Sequence, residues 1–202
     1  MLELRPRRAH LKHMDIKAEF LEGQFLVAMP GMGDPRFEHT VIYLCAHSAD
    51  GAMGLIINKP APDVRFGDLL EQLKIQAEGT LGDQQVYFGG PVEHGRGFVL
   101  HSDEYFVPDS TLQIAGGASM TATVDILKDI AGGHGPAMSL MTLGYAGWGP
   151  GQLESELQSN GWLSCDADDE IIFHMRAEKK WEAALKKIGI DPRLLSAEGG
   201  RA

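Results

Sequence analysis

Cysteine is nearly absent. The 202 residues hold only two, Cys45 and Cys165. That is too few for a disulfide scaffold, and neither lies in a C-x-x-C pair, which removes a zinc knuckle or a thioredoxin-like motif. Basic charge is also scarce: 18 Lys and Arg stand against 28 Asp and Glu, for a net charge of −10. Five of the basic residues (Arg5, Arg7, Arg8, Lys12 and Lys17) crowd into segment 1–19, and without that segment 13 basic and 25 acidic residues leave −12. Such a body repels a phosphate backbone, so direct nucleic-acid binding would fall to the leader alone. No apolar run approaches the roughly 18 residues of a membrane-spanning helix, and segment 1–19 lacks the apolar core of a secretory signal. No membrane partner is expected, and the reducing cytoplasm is the expected compartment. Repeats and linkers are missing too. One domain is therefore expected over 20–192, with 1–19 as a disordered leader and 193–202 as a loose tail.

Glycine is abundant instead: 25 of 202 residues, about 12% against an average near 7%. With 44% apolar residues, the excess does not signal disorder. Residues 24–29 (QFLVAM) predict a strand that ends in a Pro-Gly loop at 30–35. Residues 40–48 and 52–59 predict a buried hairpin around Asp50-Gly51, with Pro60-Ala61-Pro62 ending its second strand. Phe66, Leu69, Leu70 and Leu73 recur at helical spacing. Further strands are predicted over 85–88, 97–101, 112–115, 118–122 and 137–143. A helix over 123–131, capped by Thr121 or Thr123, is stopped by Gly132-Gly133. A third helix is predicted over 152–159, a terminal strand pair over 162–165 and 170–174, and a last helix over 177–188. Hairpins without regular βαβ alternation indicate an α+β fold with a mixed sheet.

Three longer segments carry a family resemblance: GQFLVAMPGMGDPRFEHTVIYLCAHSADGAMGLIINKP at 23–60, FGGPVEHGRGFVLHS at 88–102 and LGYAGWGPGQLESELQSNGWL at 143–163. Together they resemble the YqgE/AlgH family of uncharacterised bacterial proteins, sometimes labelled putative transcriptional regulators. The likeness spans about 20–192. It implies a cytosolic α+β protein with a mostly antiparallel, partly barrel-like sheet and flanking helices, and it brings no defined activity. Members often carry Glu between the Cys and His of the second strand; this chain has Ala46, so no role of that carboxylate carries over.

Candidate chemistry falls into three groups. Cys45 and His47, two apart on a strand, are expected to share a face and could form a thiolate nucleophile; as ordinary structure they simply pack. Gly89 and Gly90, with Arg96 between Gly95 and Gly97, offer turn amides beside a cation able to grip an anion. Gly144, Tyr145, Trp148, Gly149 and Gln152 predict a strand running into a Gly-rich loop and a helix N-terminus, with two aromatic walls. Asp34 could form the opposite wall, facing Asn58-Lys59-Pro60, and Glu156 follows Gln152 by one helical turn. The histidines His39, His47, His94, His101 and His134 are scattered without ligand spacing, so no metal and no cofactor is expected. The first expectation is a non-catalytic regulatory or binding domain for a small anionic ligand or a protein partner. A hydrolase or transferase using Cys45/His47 or Asp34/Glu156 is the alternative, and direct action on DNA is the third.

Overall fold

Strand β9 (Ser139–Trp148) is the axis of the molecule. The computed structural model describes residues 20–79 and 84–195. In its first half β9 lies between β5 (Gln85–Phe88), which is parallel to it, and β6 (Val92–Ser102), which is antiparallel. In its second half it pairs with β3 (Gly51–Ile56) instead. The change of neighbour falls at Gly144, where φ is +72°. That left-handed value suits glycine, and a Cβ there would come within 2.4 Å of the Gly90 carbonyl oxygen. The strand therefore kinks and continues where a loop was expected.

Around this axis the described residues form one ten-stranded sheet. β2 (Val41–Ser48) and β3 make the expected hairpin. β1 (Gln24–Ala28) joins β2 to β10 (Trp162–Asp166). On the far side β6 pairs with β8 (Ala118–Thr121), and β8 with β7 (Thr111–Gln113). Nearly all these pairings are antiparallel, and the sheet curls into a half-barrel within a single α+β domain. Pro60 does not end the ladder: Pro60–Arg65 is strand β4, paired to β5 only at Pro60↔Tyr87 and Arg65↔Gln85. Proline lacks an N–H, and such a sparsely bonded edge is where a sheet tolerates it.

Helices cover the curl. α1 (Phe66–Gln72) and α2 (Val124–Ala131) bury Phe66, Leu70, Ile126 and Leu127 against Val99 and Met141. α3 (Gln152–Gln158) buries Leu153 against Trp148 and Trp162. α4 (Ala177–Lys187) lies against β1 and β2. Thr123 occupies the N-cap of α2 but makes no cap bond. The terminal strand pair expected around 166–169 does not form. Glu170–His174 is a π-helical turn, held by the Asp168 carboxylate accepting from the Ile171 N–H, and β10 pairs with β1. After α4 a short helix, Pro192–Leu195, opens the segment expected to be a tail. The leader 1–19 and residues 196–202 lie outside the described residues. Among the described residues no helix is long and apolar enough to cross a membrane.

Two buried polar arrangements were not foreseen. Lys180 is 1% exposed, and its ammonium donates to the Ile57 and Ile172 carbonyls at 3.0 and 2.7 Å, above the Tyr87 ring. His101 is wholly buried in a chain that runs through Thr121 to Thr111.

Candidate functional site

The segment expected as a Gly-rich loop at 144–151 shortens to residues 149–151, because β9 runs on to Trp148. Strand alternation then separates the two aromatics. Tyr145 packs with Phe98 beneath one face (rings 5.7 Å apart, edge to face), while Trp148 packs with Leu153 and Trp162 beneath the other. They are not facing walls of one enclosed pocket. Both do border a 590 Å³ groove over β3, β9 and β6, with Trp148 reaching it from the strand end. Arg96 lies in the same groove.

Arg96 is not in a turn. Gly95, Arg96 and Gly97 belong to β6, in the stretch where its register against β9 is irregular. The guanidinium carbon sits 5.2 Å from the centre of the Phe98 ring, and one nitrogen is 3.5 Å from the Glu93 carboxylate. The side chain is exposed and most of its N–H donors remain open to a ligand. The Tyr145 hydroxyl makes no hydrogen bond among the described residues.

The glycines behind the groove are a junction of strands. The Gly89 N–H donates to Leu143 O (2.7 Å) and its carbonyl accepts from the Ile56 N–H (2.8 Å). A Cβ at Gly89 would meet the Gly144 carbonyl oxygen at 2.2 Å, and one at Gly90 would meet the Tyr145 carbonyl carbon at 2.0 Å. In the loop before α3 the Gly149 N–H donates to Gln152 Oε1 at 3.0 Å, and the first amide of the helix, Gln152 N–H, donates to the Gly149 carbonyl at 3.1 Å. This seven-residue helix holds its own side chain where an anion was expected.

Gln152, Asp34 and Glu156 line a second cavity, of 340 Å³, behind Trp148. Its centre is Glu156, whose Oε2 accepts from the Trp148 and Trp162 indoles at 2.9 and 2.8 Å, and whose Oε1 accepts from the Gln152 amide at 3.0 Å. Asp34 caps the turn Pro35–Phe37 and clasps the Arg36 guanidinium, which holds its carboxyl below the usual range. Its opposite wall is α3 and Trp162; Asn58, Lys59 and Pro60 are not in the lining. Both carboxylates of the alternative enzyme reading thus share a cavity, and both are already committed to protein donors.

The Cys45–His47 pair does not assemble. A bulge lies between Leu44 and Ala46, so the alternation slips by one residue. Cys45 packs with Phe25, Tyr43 and Leu55 in one cluster, where burial pushes its thiol up. His47 stands opposite Ala52 on the other face, where Nδ1 accepts from the Leu21 N–H (2.9 Å) and Nε2 meets Glu154 (3.0 Å). The i, i+2 rule that suggested a shared face fails at a bulge, which leaves no mark in the sequence. The Trp162 indole on Glu156 was missed for a similar reason, since the contact depends on how α3 meets β10. Among the described residues no three His, Cys, Asp or Glu side chains cluster as a metal centre would require.

The match to known proteins covers this whole architecture. Residues 25–193 fit the family model described as AlgH-like. The chain belongs to the AlgH-like family. A UPF0301 protein of Ruegeria pomeroyi is 57% identical over 90% of this chain and 99% of that protein. One of Bradyrhizobium diazoefficiens is 55% identical over 92% and 90%. The solution structure of AlgH from Pseudomonas aeruginosa, 45% identical, superposes with a TM-score of 0.74 over 91% of this chain and 96% of that one. A crystal structure from Corynebacterium diphtheriae shares the fold at 20% identity, with a TM-score of 0.71 over 89% and 93%. The AlgH-like fold therefore carries both cavities and the split Cys45–His47 arrangement in this chain.

Proposed function

We propose that this AlgH-like protein is a non-catalytic binding domain that takes a small anionic ligand in the groove over β3, β9 and β6. The observation that carries the reading is the convergence of Arg96, Tyr145 and Trp148 on that groove. Arg96 supplies a forked donor for a carboxylate or phosphate, and Tyr145 adds an open hydroxyl beside it. The residues that might have made a nucleophile are divided between two faces, and the paired carboxylates are engaged by indoles, an amide and a guanidinium. Gly89, Gly90 and Gly144 set the backbone on which the groove rests, and Gln152 and Gly149 brace its Trp148 end. The two free thiols suit the reducing cytoplasm, where the protein acts. Any effect on transcription runs through a ligand or a protein partner, since the acidic body disfavours DNA.

A thermal-shift screen of anionic metabolites and nucleotides on the intact chain tests this. A ligand that binds only the folded state raises the midpoint. A flat screen with a captured protein partner would move the reading to a protein-binding surface.

A further inference from the structure

Arg96 shares the groove over β3, β9 and β6 with two carboxylates, Glu93 and Asp50. A ligand that is only an anion gains from the guanidinium and is opposed by both acids. Glu93 is also held in an unusual way. Its φ is +49°, a left-handed value that glutamate rarely adopts. Such a conformation costs free energy and persists only where the surroundings enforce it. The enforcing feature is a bulge: the register of β6 against β9 jumps from Val92↔Tyr145 to Gly97↔Leu143, so β6 carries residues there that β9 does not match. On a regular strand, residues three apart point to opposite faces. The bulge instead brings Glu93 and Arg96 into one groove, with a guanidinium nitrogen 3.5 Å from the carboxylate. Both side chains stay exposed, so the pair is weak and easily parted. Beside them Val92 is 37% exposed, an apolar side chain left in water, and Met53 lines the same groove.

We infer that the groove receives an α-amino acid with a large apolar side chain, its carboxylate on Arg96, its ammonium on Glu93 and its side chain against Val92 and Met53. An α-amino acid carries both charges on neighbouring atoms. When it enters, Glu93 and Arg96 each exchange the other for the ligand's opposite charge, and no charge is left without a partner. A plain carboxylate leaves Glu93 facing an anion, and a plain amine leaves Arg96 facing a cation, so the pair selects against both. Asp50 adds to the negative side of the groove, which the ammonium offsets. The inference rests on the proposed role of Arg96 as the anion-binding residue and names the class of ligand: a carboxylate that brings its own cation.

Chemical-shift titration of the intact, isotope-labelled protein at neutral pH with phenylalanine, phenylpropionate and phenethylamine tests it. Phenylpropionate lacks the ammonium and phenethylamine lacks the carboxylate. Phenylalanine should bind at least about fivefold more tightly than either, the size of one exposed ion pair, and should shift the amides of 51–53, 92–98 and 145–148. Glu93→Gln should remove the preference over phenylpropionate, and Arg96→Gln the preference over phenethylamine. Both side chains are exposed, so both variants keep the fold. Phenylpropionate binding as tightly as phenylalanine, with both weakened by Arg96→Gln, would overturn the amino-acid inference and leave the anion groove standing. Phenylalanine binding that is unchanged in Arg96→Gln would remove Arg96 from the account and contradict both readings. No binding by any of the three would overturn the inference outright, and the screen of other anions then decides the fate of the groove.

Discussion

Replacing Lys180 with methionine should change how stability depends on pH. The lysine is buried on α4 with two carbonyl acceptors and the Tyr87 ring, and no carboxylate among the described residues pairs with it. Loss of hydration pulls it down from a lysine's usual 10.5 to about 8. In the unfolded chain it keeps the higher value. Between about pH 8 and pH 10.5 the unfolded chain therefore holds a proton that the folded protein has released, so folding gains stability as pH rises through that window. Below pH 8 the folded protein carries the full cost of the buried charge, roughly 3 kcal/mol at about 1.36 kcal/mol per pH unit. Raising the pH from about 7 to about 9.5 recovers about 2 kcal/mol of it. The buried thiols act in the opposite sense, because burial raises Cys45 and Cys165 above their unfolded values. That contribution is common to wild type and Lys180→Met and cancels in their difference. Urea unfolding of both proteins at several pH values gives the difference directly. Wild type should gain about 2 kcal/mol on the variant across that range. A difference that stays flat within about 0.5 kcal/mol would refute the reasoning and leave Lys180 with ordinary hydration.

Two further outcomes follow from the packing. Glu156→Gln sets two amide NH2 groups against one another at Gln152 and weakens the acceptor shared by Trp148 and Trp162; it should cost about 1–3 kcal/mol in urea unfolding and shift the tryptophan emission of the folded protein. Gly90→Ala drives a Cβ to 2.0 Å from Tyr145 backbone and should abolish folding, or cost more than about 3 kcal/mol. Gly31→Ala, also at positive φ but with nothing within 4 Å, should cost only about 1 kcal/mol. Equal effects would show that close approach at the β5–β9 junction is not what Gly90 provides.

Local chemistry made much of the fold legible. Asp50-Gly51 announced the β2–β3 hairpin, and the spacing of Phe66, Leu69 and Leu70 announced α1. The misreadings occur where a local signal has a different tertiary meaning. Gly144 reads as the start of a loop, but its left-handed φ lets one strand change partners without ending. Pro60 and Pro62 read as a stop, but an edge strand needs few N–H donors. Ile171-Ile172 reads as a strand, but the Lys180 ammonium and the Asp168 carboxylate reach it and fix a π-helical turn. For the site, Arg96, Tyr145 and Trp148 could be named from residue type. Their meeting in one groove depends on β9 lying between β3 and β6, which no local pattern encodes. The separation of Cys45 from His47 depends on a one-residue bulge, equally invisible.

The most direct test is a parallel thermal titration of wild type, Arg96→Gln and Cys45→Ser with an anionic hit from the ligand screen. At about 100 times its dissociation constant the ligand should raise the wild-type midpoint by roughly 5–10 °C. The account predicts the same rise in Cys45→Ser and little or none in Arg96→Gln. A rise that survives in Arg96→Gln, or that disappears in Cys45→Ser, would contradict it.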